Sequence, residues 1–176
     1  MTPQRRLKIA ATLAATLKIS GGVEGRIRIQ KTAYLLQQKG LKDLNEVDFI
    51  FHHYGPYSEE VASVLSQAVD AHIIDEKTVS FDDEWQRFEY SLADKGVDYA
   101  QMIEQSSMSI IESVVSRTKS EHWRTLELAA TILFLQKRDG LELDKATQRA
   151  FSLKPACRGY EINARSVLSE LQLISA

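Results

Sequence analysis

Apolar positions recur at helical spacing from the first residues of the chain. Leu7, Ile9, Ala10, Leu13, Ala14 and Leu17 form one stripe, which predicts an amphipathic helix over about 4–18. Gly21 and Gly22 end it. A second helix is expected over about 23–39, with Ile29, Ala33, Leu36 and Gly40 on one face and Ile27, Tyr34 and Leu35 widening it. Arg26, Gln30 and Gln37 fall on its opposite, polar face. The pattern then changes: "VDFIFHHY" packs aromatic and branched residues closely and reads as a short extended segment broken by Gly55-Pro56. Ser58 fits a helix N-cap, and Glu59 and Glu60 suit the positive end of the helix dipole. Val61, Leu65, Ala68 and His72 line that helix, expected over about 59–72.

Strand-like chemistry returns at 78–81 and 87–92, with Asp82, Asp83 and Glu84 at the tip of the resulting ribbon. A helix follows to about Arg117, with an interruption expected near Ser106 and Ser107. Three further helices are expected over about 121–138, 142–152 and 160–172, the last two separated by "KPACRG". The order predicts a mainly helical α+β fold: a winged-helix-like core over 1–118 with a short two-stranded ribbon, and C-terminal helices over 119–176 packed on the same domain. The 59–72 helix would be the recognition helix and the ribbon the wing.

Composition changes this picture little. In 176 residues, 44% are apolar and 26% charged, as in an ordinary soluble globular chain. Cys157 is the single cysteine, so no intrachain disulfide can form. That suits a reducing compartment, and a cytoplasmic location is expected, with no membrane partner. Charge is more informative. Residues 1–57 carry 9 Lys/Arg against 4 Asp/Glu, residues 58–113 carry 3 against 13, and residues 114–176 carry 10 against 7. An acidic middle block lies between two basic ones.

Candidate chemistry is sparse. Adjacent residues of a strand point to opposite faces, so His52 and His53 are not expected to chelate one ion, and no metal or other cofactor is called for. Neither a nucleophile elbow nor a P-loop nor a dinucleotide fingerprint is present, and no catalytic residue is assigned. For DNA, the two elements that should meet phosphate are acidic. Nucleic-acid binding would have to use Arg5, Arg6, Arg26, Arg28 and Lys31 on the first two helices, the less favoured alternative. The preferred reading is recognition of a protein partner, one carrying basic charge, by His53, Tyr54, Tyr57, Glu59, Glu60, Asp82, Asp83 and Trp85. A structural reading stands beside it: Tyr54 and Tyr57 pack beneath the turn and fix it against the second helix, His53 is a structural hydrogen-bonder, and the 82–84 run is a solvated turn. The oligomeric state is left open.

Two motifs carry a family resemblance. Lys31, Tyr34, Leu35 and Leu36 form a Lys-x-x-Tyr-Leu-Leu helix, and Phe51, His53, Tyr54, Gly55, Pro56, Tyr57 and Ser58 form an aromatic-x-His-Tyr-Gly-Pro-Tyr-Ser turn. With the "SLADKG" junction these features span roughly 24–100. In them the chain resembles the YwgA-like proteins, small bacterial and phage-associated proteins, and more remotely the Panacea (SocA-like) antitoxin domain. The resemblance implies a regulator or antitoxin in a phage-defence or toxin–antitoxin system, acting by direct binding to a protein. Where the Panacea pattern carries Val after Gly-Pro, this chain has Tyr57.

Overall fold

Thr2 begins the first helix, α1 (Pro3–Ser20): its hydroxyl accepts the Arg5 N–H at 3.2 Å, and Pro3 follows at the position where a missing N–H costs nothing. The helix stops at Gly21, whose φ of +77° lets its N–H turn back to the Leu17 carbonyl. The computed structural model describes residues 1–80 and 86–174. Residues 9–17 of α1 are buried on every side, so this helix runs through the core rather than over it.

The second helix starts later than its apolar pattern suggests. Val23 and Glu24 form a two-residue strand, β1, and Gly25 then turns into α2 (Arg26–Gln38). Gly25 donates its N–H to the Phe88 carbonyl at 2.8 Å, which ties the entry of α2 to the sheet. The 47–54 extended segment shrinks to β2 (Ile50–His52), which pairs with β3 (Gly55–Tyr57) through Ile50↔Tyr57, Phe51↔Pro56 and His52↔Gly55. Gly-Pro therefore starts a second strand instead of simply ending the first.

Ser58 caps α3 (Glu59–Asp70), accepting the Val61 N–H at 3.4 Å. The helix ends before His72, which adopts φ +56° and redirects the chain into β4 (Ile74–Ser80). β4 pairs antiparallel with β5 (Gln86–Leu92) from Ile74↔Leu92 to Ser80↔Gln86, and β1 pairs on the other side of β5. The sheet order is β1-β5-β4. β4 begins four residues before the expected strand because Asp75, Glu76 and Lys77 hide its start behind charge. The next helix is broken at 102–104, not at Ser106–Ser107, giving α4 (Gly96–Gln101) and α5 (Gln105–Thr118). Then follow α6 (Trp123–Asp139), α7 (Leu143–Leu153), a 3-10 turn (Pro155–Tyr160) and α8 (Glu161–Glu170).

The fold is thus mainly helical α+β with a small antiparallel sheet. One hydrophobic cluster runs from Ile9 on α1 through Leu35 on α2 and Leu133 on α6 to Leu171 after α8. α6 is buried on all sides over residues 125–135 and packs on α2, and the β2–β3 hairpin rests on both through β3. Among the described residues no helix is long and apolar enough to cross a membrane.

Candidate functional site

The β2–β3 turn rests on a set of buried polar side chains. Gln30 and Ser58 bond reciprocally: the Ser58 N–H donates to Gln30 Oε1 at 2.9 Å, and Gln30 Nε2 donates to the Ser58 carbonyl at 3.0 Å. One residue along α2, the Lys31 ammonium donates to the Pro56 carbonyl at 2.6 Å. From the opposite side, the Lys154 ammonium donates to the His53 carbonyl and pairs with Glu127 at 2.8 Å. The Cys157 thiol donates to the second Glu127 oxygen at 3.5 Å. Lys31 is 1% exposed, Glu127 5% and Lys154 6%, so two lysine amino groups and one carboxylate lie buried beneath the turn. Such charges stay buried only where paired and hydrogen-bonded.

Burial dominates the titration of Lys31 and Cys157. It lowers Lys31 from near 10.5 to about 7, against the pull of the Glu127 carboxylate and with the help of Lys154. It pushes the Cys157 thiol up to about 12, reinforced by Glu127. Cys157 is therefore a packed, unreactive thiol. Gly55 completes the device. Its φ is +83°, and an added Cβ would lie 2.5 Å from Thr131 Oγ1 on α6.

Above this base the turn presents rings. His52, His53 and Tyr54 are exposed and Tyr57 is half-buried. The His52 ring lies 4.9 Å from that of His53 and 5.1 Å from that of Tyr57. The strand alternation expected to separate the histidines fails because β2 ends at His52, and His53 belongs to the turn. Tyr54 is 50% exposed and does not pack beneath the turn; Gln30, Lys31 and Lys154 hold it instead. The structural part played by His53 is its carbonyl, which accepts from Lys154.

The other expected contact residues divide. Glu59 is exposed beside Tyr57, whereas the Glu60 carboxylate is paired with Arg5 at 2.8 Å. Asp82, Asp83 and Trp85 lie outside the described residues. Of the basic set, Lys31 is buried under the turn, and Arg28 faces inward, donating to the Thr118 carbonyl at 3.2 Å and the Glu121 carbonyl at 2.6 Å. Arg26 lies over the Phe88 ring at 4.0 Å and bonds the Tyr90 hydroxyl and Glu76. Arg6 is exposed. Glu127, Thr131 and Lys154 carry no role in the sequence pattern, although Glu127 is a lone acid inside the apolar helical run "TLELAATILFL", and Gln30, expected on an outward polar face, is buried.

Next to the turn a cleft of about 270 Å³ opens between α3 and the β4–β5 ribbon, with Tyr57 as one wall. No three His, Cys, Asp or Glu side chains among the described residues converge to hold a metal ion.

No family model matches the chain. It is 31% identical over 154 residues to the uncharacterized protein YwgA of Bacillus subtilis (strain 168), covering 84% of this chain and 85% of that protein.

Proposed function

From the premise that this chain belongs to the YwgA-like family, we propose that it is a non-catalytic protein-interaction module whose docking element is the turn over residues 52–57. The observation that carries this reading is the contrast within that turn. Its backbone carbonyls at His53 and Pro56 are fixed by two buried lysines, while its His52, His53 and Tyr54 side chains face solvent. Rigid aromatic anchors bind with little loss of side-chain freedom, and a preorganised backbone removes the ordering cost of association. A buried, ion-paired foundation also keeps the rings in one arrangement, as specific recognition needs.

The same proposal takes α1 to β5 as a winged-helix-like core, supported by the helix–strand order and the three-stranded sheet. The exposed face of α3 carries Glu59, Ser63, Ser66, Gln67 and Asp70 and no Lys or Arg. That composition favours a protein over DNA as the docked partner. An antitoxin role, which the Panacea resemblance implies, makes the partner a toxin.

Capture from the native host, mass spectrometry of what is held, and reconstitution with the purified partner test the reading. Tyr54→Ala and His53→Ala should each weaken the reconstituted complex, with Tyr54→Ala costing about 2 kcal/mol, or roughly thirtyfold in affinity. Thermal unfolding should stay unchanged, because Tyr54 is half in solvent. Unaltered affinity in both variants would remove the turn from the interface. Recovery of nucleic acid alone would favour a DNA-binding regulator.

A further inference from the structure

We propose that the cleft beside Tyr57 receives one cationic side chain of the protein partner, an arginine fitting it best. The proposal rests on the docking reading above and names what the adjoining surface takes.

The walls decide the sign of the occupant. Arg26 is the cleft's basic residue, and its guanidinium is committed: one face covers Phe88 at 4.0 Å, Nε donates to the Tyr90 hydroxyl at 2.9 Å and Nη2 to Glu76 at 3.3 Å. The Tyr90 hydroxyl donates in turn to the same Glu76 oxygen at 2.6 Å. Arg26 and Glu76 cancel, which leaves Asp70, exposed at the end of α3, as the uncancelled charge of the wall. Glu59 adds a second exposed carboxylate next to Tyr57. An anion would meet like charge here, and a cation meets acceptors.

Shape and chemistry narrow it further. A space of about 270 Å³ is smaller than ordinary cofactor or drug pockets and suits one long side chain. The half-buried Tyr57 ring gives a flat aromatic wall, and Ser66 a hydroxyl acceptor. A planar guanidinium stacks on such a ring and bonds a carboxylate in its own plane. The cleft already contains one example of that chemistry in Arg26, held by an aromatic ring, a hydroxyl and a carboxylate. Tyr57 also packs against His52, so the cleft and the exposed turn form one surface, and a partner seated on the turn reaches the cleft.

The test uses the full chain labelled with ¹⁵N and titrated with the blocked peptide acetyl-Gly-Arg-Gly-Arg-Gly-amide. Saturable amide shifts should centre on residues 57, 66 and 69–70. They should vanish with the citrulline peptide, which keeps shape but lacks charge, and weaken about threefold in Asp70→Asn, an exposed and fold-neutral change. Shifts elsewhere, no saturable shifts, or equal affinity for citrulline or in Asp70→Asn would each overturn the proposal. Tyr54→Ala should leave peptide binding intact. If the peptide fails while Tyr54→Ala still weakens the reconstituted complex, the turn remains the docking element and the cleft is not its arginine receptor.

Discussion

Lys31 is fully buried yet retains a neighbour of each sign, Glu127 and Lys154, so its protonation reports on the whole foundation of the turn. Its ammonium is disfavoured by burial, and its folded value of about 7 lies below the ordinary 10.5. Between those values the unfolded chain binds more protons than the native one, so stability rises with pH across that window. The slope from one group reaches at most about 1.4 kcal/mol per pH unit. Cys157 acts in the opposite sense. Its folded value of about 12 lies above the ordinary 9, so its contribution falls as pH climbs from about 9. The clean window is therefore about pH 7 to 8.5. Urea unfolding there should show wild type gaining about 1–2 kcal/mol relative to Lys31→Met, which lacks the titrating group. Lys31→Met should also be less stable at the upper pH, because the Pro56 carbonyl loses its donor. Parallel pH profiles for the two proteins would place the Lys31 titration outside this range.

At the scale of elements, the hairpin and α6 approach each other at Gly55 more closely than any side chain permits. Gly55→Ala meets two penalties: a left-handed backbone at φ +83°, and a Cβ 2.5 Å from Thr131 Oγ1. Together they should cost about 2–4 kcal/mol in denaturant unfolding, and adding Thr131→Ala should recover part of the steric share. A cost within a few tenths of a kcal/mol would mean that β3 slides off α6 freely. The Ser58 cap and the long helices α1 and α6 were legible because period, caps and stop residues are local signals. β1 was not, since two residues carry no pattern. The clamp was not legible either, because its partners are far apart in the chain: Gln30 reaches Ser58 across 28 residues, and Lys154 reaches His53 across 101. Reading Gln30 as an outward polar position was reasonable from α2 alone. What reverses it is the β3–α3 junction, which folds onto that face of α2 and bonds Gln30 through both backbone groups of Ser58. The exposure of Tyr54 follows from the same cause, since the lysines occupy the space beneath the turn that its ring was expected to fill.

Over the whole molecule the acidic middle block is folded back onto its basic neighbours. Arg5 of α1 pairs with Glu60 of α3 and Arg26 of α2 with Glu76 of β4, while Arg87, a base within the acidic block, pairs with Glu24 of β1 and with its neighbour Glu89. Part of the charge asymmetry seen along the chain is therefore spent on assembling the first half, and Glu59 and Asp70 are the exposed carboxylates left on α3. The first half nevertheless depends on the second. Leu126, Leu128, Ala129, Ala130, Ile132 and Leu133 of α6 are all 0% exposed, and Phe134 packs 6.0 Å from Tyr34 of α2 and from Phe51 of β2. Arg28 of α2 spans the α5–α6 connection through the Thr118 and Glu121 carbonyls. A fragment of residues 1–118 would lose that apolar cover, leave Lys31 without Glu127, and expose the underside of the turn. It should retain helical circular dichroism but lack a cooperative thermal transition and bind a hydrophobic dye, as expected when secondary structure persists without fixed packing. The full chain should unfold in one transition. A sharp, cooperative melt of the 1–118 fragment near the midpoint of the full chain would show that the N-terminal core closes without α6. The turn's buried foundation would then be an addition to that core, not part of what holds it together.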